Sequence, residues 1–410
     1  MSASGYQPRD QLYLWWLADP QDPMLVGELN LVRAALRGVS LRYTAAWLER
    51  GFSLSEDLPL LPTELFPTER DTAVGAVDDA RPDRWGERVI RVIDRPARLS
   101  LLEYLYFAGD DRFGALGIST SAAEYHPRRL GPLPRLEDTE TIQDLVWKVL
   151  AQEPIPEPQR RLISPGGTMG GARPKAILEI DGEQWIVKFA AGDPTDLPLV
   201  EHACMSLASR AAIHVATTRP LRLTGGHAVA VRRFDRVAGQ RQHVLSARVA
   251  LTAAGEEMGY PELAQLLRRK GVVEGDKNLS QMRELFRRMV FNILIDNTDD
   301  HEKNHVVLVD DAQQYSLSPA FDLLPSGQAL GMQQMRVGQD QGESTLENAM
   351  SMCNFFGLTR DQAADEVRCV IAVVDRWQAV LADIGVGSGD LDLLSEQIDR
   401  PFLLSQRRDF

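Results

Sequence analysis

Cysteine is scarce: 410 residues contain three, Cys204, Cys353 and Cys369, odd in number, widely spaced and outside any metal-ligand pattern. That excludes a disulfide scaffold and a thiolate zinc cluster, and it points to free thiols in a reducing, cytoplasmic compartment. Long apolar runs are missing as well. The longest near the N-terminus, "LYLWWLA" from Leu12 to Ala18, falls far short of the ~20 residues of a membrane span, and no basic stretch precedes it as in a signal peptide. It is expected to be a buried strand, with no membrane contact. Positive charge is in deficit, with 45 basic against 58 acidic residues and a formal charge of -13. A chain that grips nucleic acid by its own electrostatics needs Lys and Arg to replace counterions, so direct DNA binding is not expected. Internal repeats and low-complexity tracts are also absent, and 44% hydrophobic with 25% charged residues is ordinary for a folded soluble protein. The length exceeds what one core holds, so two or three domains are expected.

What is present divides the chain. Residues 11–120 alternate short apolar and turn-rich segments, and no long amphipathic period is evident before "TIQDLVWKVL", where Ile142, Leu145, Val146, Val149 and Leu150 share a helical face. "AQEPIPEPQRR", 151–161, carries three prolines and reads as a linker. Beyond it, two β-type runs flank Asp181-Gly182, a strong hairpin signal, and Thr224-Gly225-Gly226 joins two more strands after a helical stretch near Glu201–Ser209. From about 245 helical patterns dominate. Met282, Leu285, Phe286, Met289, Val290, Ile293 and Leu294 form an apolar stripe, and Thr359 with Gln362 opens in capping-box register one long helix that closes at Gly385. The expected domains are 1–155, a β-rich lobe at 156–240 and a mainly helical lobe at 241–410.

The stretch "NTDDHEKNHVVL", 297–308, contains two overlapping motifs. His301-Glu302-Lys303-Asn304-His305 matches the H-E-x-x-H of zinc proteases, which needs both His on one helix face so that they reach the same metal. Here the apolar stripe stops at Leu294 or Ile295, five polar turn-formers follow, and a β-branched run comes next. A loop entering a strand does not present that face. Asp299 and Asn304, five apart, instead have the spacing of a protein-kinase catalytic loop. That loop should be preceded by a helix and followed by a hairpin and a second metal-binding Asp, and "HVVLVDDAQQYSLS" and "PAFDLLP", with Asp322, supply both. A carboxylate beside the acceptor hydroxyl orients it and receives its proton, while Asn304 and Asp322 offer hard oxygens suited to Mg²⁺.

Upstream, Lys188 sits in "WIVKF", comparable to the kinase strand whose lysine meets the nucleotide phosphates, and Glu201 on the next helix is a candidate ion-pair partner. "GGTMGGARPK", 166–175, is neither a Walker sequence nor G-x-G-x-x-G. Its glycines still let backbone amides approach phosphate, with Arg173 and Lys175 adding positive charge.

Together "GGARPKA", "WIVKFAAG", "EHACMSLA", "RRFDR", "NTDDHEKN" and "LSPAFDLLPS" resemble the HipA family of serine/threonine kinases, toxin components of toxin–antitoxin systems linked to persistence. "GVSLRYTAAWLERGFSLSEDLPLLP" and "GDDRFGALGIS" are similar to that family's N-terminal subdomain. The resemblance implies an α+β, protein-kinase-like two-lobed fold with an added β-rich N-terminal subdomain and an all-α C-terminal lobe. It implies Asp299 as catalytic base, Asn304 and Asp322 as Mg²⁺ ligands, and ATP held by Lys188, Gly170, Gly171, Ala172, Arg173 and Lys175, with backbone near Arg232 and Phe234 at the adenine. It also implies autophosphorylation at Thr168 or Ser164, a HipB-like DNA-binding antitoxin as partner, contact with DNA only through that antitoxin, and a cytosolic target such as an aminoacyl-tRNA synthetase. Two alternatives stand beside it: a zinc metallopeptidase using His301, Glu302 and His305, and a non-catalytic co-repressor.

Overall fold

In the computed structural model, which describes residues 6–33, 37–128, 131–166 and 171–410, the turn-rich start of the chain folds as strands around a short apolar run. Gln11–Trp16 lies inside a five-stranded sheet of order 72–73, 38–43, 24–32, 11–16, 116–119. Strict alternation would bury every second residue of a strand, yet Leu14, Trp15 and Trp16 are all buried. A bulge between Leu14 and Trp15 shifts the register and turns consecutive side chains inward.

By contacts the described chain divides into two units, 1–191 with 232–254, and 192–231 with 255–410. The first contains the five-stranded sheet and the hairpin Lys175–Ile180/Glu183–Lys188. Asp181 and Gly182 both take positive φ, 53° and 77°, as a two-residue turn matched to strand twist requires. The helix Thr139–Leu150 buries Ile142, Leu145, Val146 and Val149.

Three sequence expectations are corrected here and in the second unit. A ten-residue helix, Arg84–Ile93, precedes the expected first amphipathic period; Asp83 caps it and Trp85, Val89, Ile90, Val92 and Ile93 are buried. Gly86, a weak helix former, interrupts its apolar face, and it is there because a Cβ would collide with the Pro165 carbonyl. The linker 151–161 is not irregular throughout: a 3-10 turn, Glu157–Leu162, begins inside it and ends one residue past it. The long helix from Thr359 is two helices, Arg360–Val374 and Trp377–Ile384. Its capping box and its Gly385 stop, at φ 106°, are as expected, but a break at Asp375-Arg376 redirects the second half. That redirection buries the Trp377 ring and lets its Nε1 donate to Asp399 Oδ2 at 3.1 Å.

The second unit is mainly helical, around the eighteen-residue helix Lys277–Leu294, whose apolar stripe is fully buried. It also carries Leu197–Arg210, the hairpin Thr218–Leu223/Gly226–Arg232 up to Val231, and the short hairpin Val306–Val309/Tyr315–Leu317. Among the described residues no helix is long and apolar enough to cross a membrane.

Candidate active site

The polar segment after helix Lys277–Leu294 begins with a sharp reversal, Asp296 at φ 58°, where Asp tolerates the left-handed region. From there the chain is held almost residue by residue. Asp296 Oδ1 accepts from Arg400, Asn297 Nδ2 donates to Asn292 Oδ1 at 3.0 Å, and Thr298 Oγ1 lies 2.6 Å from Ser326 Oγ. Ser326 also returns two hydrogen bonds, from its N and its Oγ, to the Asp296 carbonyl.

The adjacent acids then part company. Asp299 is exposed and its Oδ1 accepts from Gln334 Nε2 at 3.0 Å, whereas Asp300 is buried, with Oδ2 accepting from the Tyr260 hydroxyl and from His305 Nε2, the latter at 2.7 Å. Burial alone pushes the Asp300 carboxyl up, but the neighbouring His305 and the two hydrogen bonds outweigh it, so the group sits below the usual carboxylate range. The same phenol, raised well above its ordinary value by burial and by Asp300, stays a neutral donor.

Residues 301–305 are turn and loop, so His301 and His305 share no helix face. His305 Nε2 is committed to Asp300, and His301 Nδ1 accepts from Lys303 N at 3.2 Å. Among the described residues no group of three or more His, Cys, Asp or Glu side chains is placed to hold a metal ion. The H-E-x-x-H geometry that a zinc peptidase needs is not formed.

Asn304 is a different case. Its backbone N donates to the His301 carbonyl at 2.9 Å, and its buried Oδ1 has no hydrogen-bond partner. An orphaned buried acceptor costs ~1–3 kcal/mol unless water or a cation meets it. That oxygen, with a carboxylate oxygen as second ligand, fits a hard divalent ion better than a soft one. Asp322, the second oxygen in that reading, takes φ 60° and is part-exposed. The chain just before it is fixed by bonds between Ala216 N and the Ala320 carbonyl and between Ala320 N and the His214 carbonyl, both 2.8 Å. Asp299, Asn304 and Asp322 all lie in the second unit, as does Glu201, buried on helix Leu197–Arg210.

The remaining residues singled out in the sequence lie in the first unit. Lys188 ends its strand opposite Lys175 in the hairpin register. Lys175 is buried, its Nζ 2.7 Å from Asp83 Oδ2, and its carbonyl accepts from Trp85 Nε1 at 2.8 Å. Its charge is therefore already compensated within the unit. Gly171 has φ 101°, Ala172 is exposed, Arg173 and Ser164 are part-exposed, and Thr168 and Gly170 lie outside the described residues. Arg232 points its guanidinium at Glu183, 3.3 Å away, with both side chains about half exposed. Phe234 packs edge-on against Phe113, with centroids 5.3 Å apart.

Between those two positions sits a cluster that the sequence reading passed over. Arg233 and Asp235 are fully buried and paired at 2.7 Å, Arg236 meets the same carboxylate at 2.6 Å, and Gly114 N donates to it at 2.8 Å. Arg233 also donates to the carbonyls of Asp111 and Arg112. The signal was the recurrence of Asp, Arg and Phe in "GDDRFG" and "RRFDR", more than 110 residues apart along the chain.

A model of the HipA-like C-terminal domain matches residues 167–377, slightly more than half the chain. A candidate kinase of Sinorhizobium fredii, Y4dM, is 28% identical over 156 residues, 35% of this chain and 37% of the relative, so the match spans well under half of that protein. Among solved structures, HipA of Shewanella oneidensis, determined in the complex of its toxin–antitoxin system with HipB and operator DNA, superposes with a TM-score of 0.66. That match is 16% identical and covers 97% of both chains. The proinflammatory kinase CtkA of Helicobacter pylori aligns at a TM-score of 0.44 and 14% identity, over 60% of this chain and 92% of that one.

Proposed function

The chain belongs to the HipA-like C-terminal domain family, and from that premise we propose that it is an ATP- and Mg²⁺-dependent protein serine/threonine kinase. The observation that carries the reading is the contrast within one loop between exposed Asp299 and buried Asn304, whose side-chain oxygen is left without a partner. Phosphoryl transfer is chiefly positioning and charge compensation, and a loop so firmly tied presents both groups at fixed places. Asp299 orients the acceptor hydroxyl and takes its proton; Gln334, now on its Oδ1, yields that position. Asn304 and Asp322 hold Mg²⁺, which when bound neutralises charge on the phosphates. Lys188 and the backbone amides of 171–173 meet the phosphates. Lys175 then acts by holding the base of that segment through Asp83, and backbone at Arg232–Phe234 takes the adenine.

In this reading 1–155 is an accessory subdomain, 156–240 grips nucleotide and 241–410 carries the catalytic loop. Likeness to a toxin solved with HipB and DNA supports a HipB-like antitoxin as partner, with DNA reached through it. The target is a cytosolic protein of the aminoacyl-tRNA synthetase kind, and Thr168 or Ser164 is a site of self-silencing phosphorylation, since phosphate there would repel the nucleotide. The test is phosphate incorporation from ATP and Mg²⁺ by wild type and Asp299→Ala, with bound zinc assayed on the same preparation. Incorporation by wild type alone is expected. Stoichiometric zinc with no nucleotide binding would return the reading to a metallopeptidase.

A further inference from the structure

His305 and Asp300 are parts of the two overlapping motifs that the proposed chemistry leaves unused, and both are buried where a polar side chain needs a reason. Asp300 Oδ2 is the common acceptor for Tyr260 and His305, and the Tyr260 hydroxyl in turn receives Asn292 Nδ2 at 3.4 Å from the helix Lys277–Leu294. Tyr260 and His305 also pack edge-on, with centroids 5.2 Å apart. The Asp300–His305 bond joins residues five apart in sequence, so it closes residues 300–305 into a ring, and the ring is fastened through Tyr260 and Asn292 to two helices. Asn304 is inside that ring, next to His305, and Asp299 is the residue immediately outside it.

We propose that Asp300, His305 and Tyr260 form a clamp of positioning residues, which fixes the backbone on either side so that Asp299 faces outward and Asn304 Oδ1 stays unpaired and available to a divalent ion. The second His of the zinc-like motif thus serves as the ring closure of the catalytic loop. The clamp rests on the kinase reading for its purpose, though not for its geometry.

The experiment compares wild type with His305→Leu, which removes the donor, His305→Gln, whose amide can still reach Asp300, and Tyr260→Phe, which deletes one oxygen. Three quantities are read: hydrogen exchange of the 296–306 segment without ligand, Mn²⁺ binding in the presence of ATP, and kcat and KM for phosphate incorporation. Loss of the clamp is expected to speed exchange of that segment and weaken Mn²⁺ binding about 10- to 100-fold, as loss of outer-shell partners does. It should lower kcat by a similar factor, with KM for ATP within about twofold, and His305→Gln should recover most of both losses. If His305→Leu fails to fold, Tyr260→Phe shows the same pattern at smaller amplitude. Folded variants with wild-type exchange, Mn²⁺ binding and kcat would overturn the clamp. A wild type that takes up no phosphate, together with faster exchange in the variants, would leave the clamp standing and remove the kinase reading.

Discussion

Two buried aspartates, Asp235 in the first unit and Asp300 in the second, are held by opposite means. Asp235, in the first unit, is met by Arg233 and Arg236, two permanent cations, and by a backbone N–H. Asp300, in the second, is met by a phenol and an imidazole. Burial pushes both carboxyls up, and in both the partners win, bringing Asp235 down to about 2 and Asp300 below its ordinary range. The difference is what remains when a partner is lost. A charge knot leaves stranded guanidiniums, so it serves architecture, here fastening 111–114 to 233–236. A network closed by a phenol and an imidazole depends on hydrogen-bond donors, so it can be varied by exchanging one donor for another.

The largest expected effect breaks this contrast at its charged end. Asp235→Ala strands Arg233 and Arg236 and should cost about 3–5 kcal/mol, whereas Asp300→Asn, whose amide oxygen still accepts from Tyr260, should cost about 1–3 kcal/mol. Six of the seven tryptophans lie in the first unit, so urea unfolding followed by tryptophan fluorescence reads the Asp235 variant directly.

Acid sharpens the comparison next. His243 is buried, its Nε2 donates to the Leu54 carbonyl at 2.7 Å, and desolvation lowers its pKa from 6.5 to about 4. A depressed histidine stabilises the fold above its unfolded value and loses that contribution as pH falls from 6.5 towards 4. Asp235, also depressed, loses its contribution as pH falls from the ordinary ~3.9 towards 2. The first unit should therefore weaken in two steps, each on the order of 2–4 kcal/mol, with His243→Gln removing only the upper one. Denaturation midpoints measured across pH 7 to 2 check this, and a single step near pH 4 would contradict it.

The smallest effect belongs to a salt bridge that looks similar on paper. Arg232 and Glu183 are each about half exposed, and solvent screens such pairs, so Arg232→Ala should change stability by less than about 0.5 kcal/mol. The same urea titration, run beside Asp235→Ala, would show two neighbouring arginine–carboxylate contacts differing severalfold.

These contrasts mark what the sequence could reveal. Local signals were legible because their cause is local: Asp181-Gly182 needs two positive φ angles, the stripe from Met282 to Leu294 needs one buried face, and Thr359 and Gln362 cap each other. The helix–loop–hairpin order around Asp299 and Asn304 was legible for the same reason. The Asp83–Lys175 pair, with its members 92 residues apart, and the Arg233–Asp235 knot left no periodicity to read, because distant segments that meet impose no spacing on the chain. The break at Asp375-Arg376 was hidden since it keeps the helical pattern on both sides and changes only direction. The split between Asp299 and Asp300 was half visible: spacing named the first, but only the fold gives the second its partners.

Ser326 gives the second unit one further property. It touches the Asp296 carbonyl twice and the Thr298 hydroxyl once, so the segment carrying Asp322 and the segment carrying Asn304 are tied together a few residues from each. The two segments are thereby joined through one side chain, and loosening either end loosens the other. A side chain at 326 without a hydroxyl gives up both side-chain bonds at once, and an inserted residue between 322 and 326 shifts Asp322 against this tie.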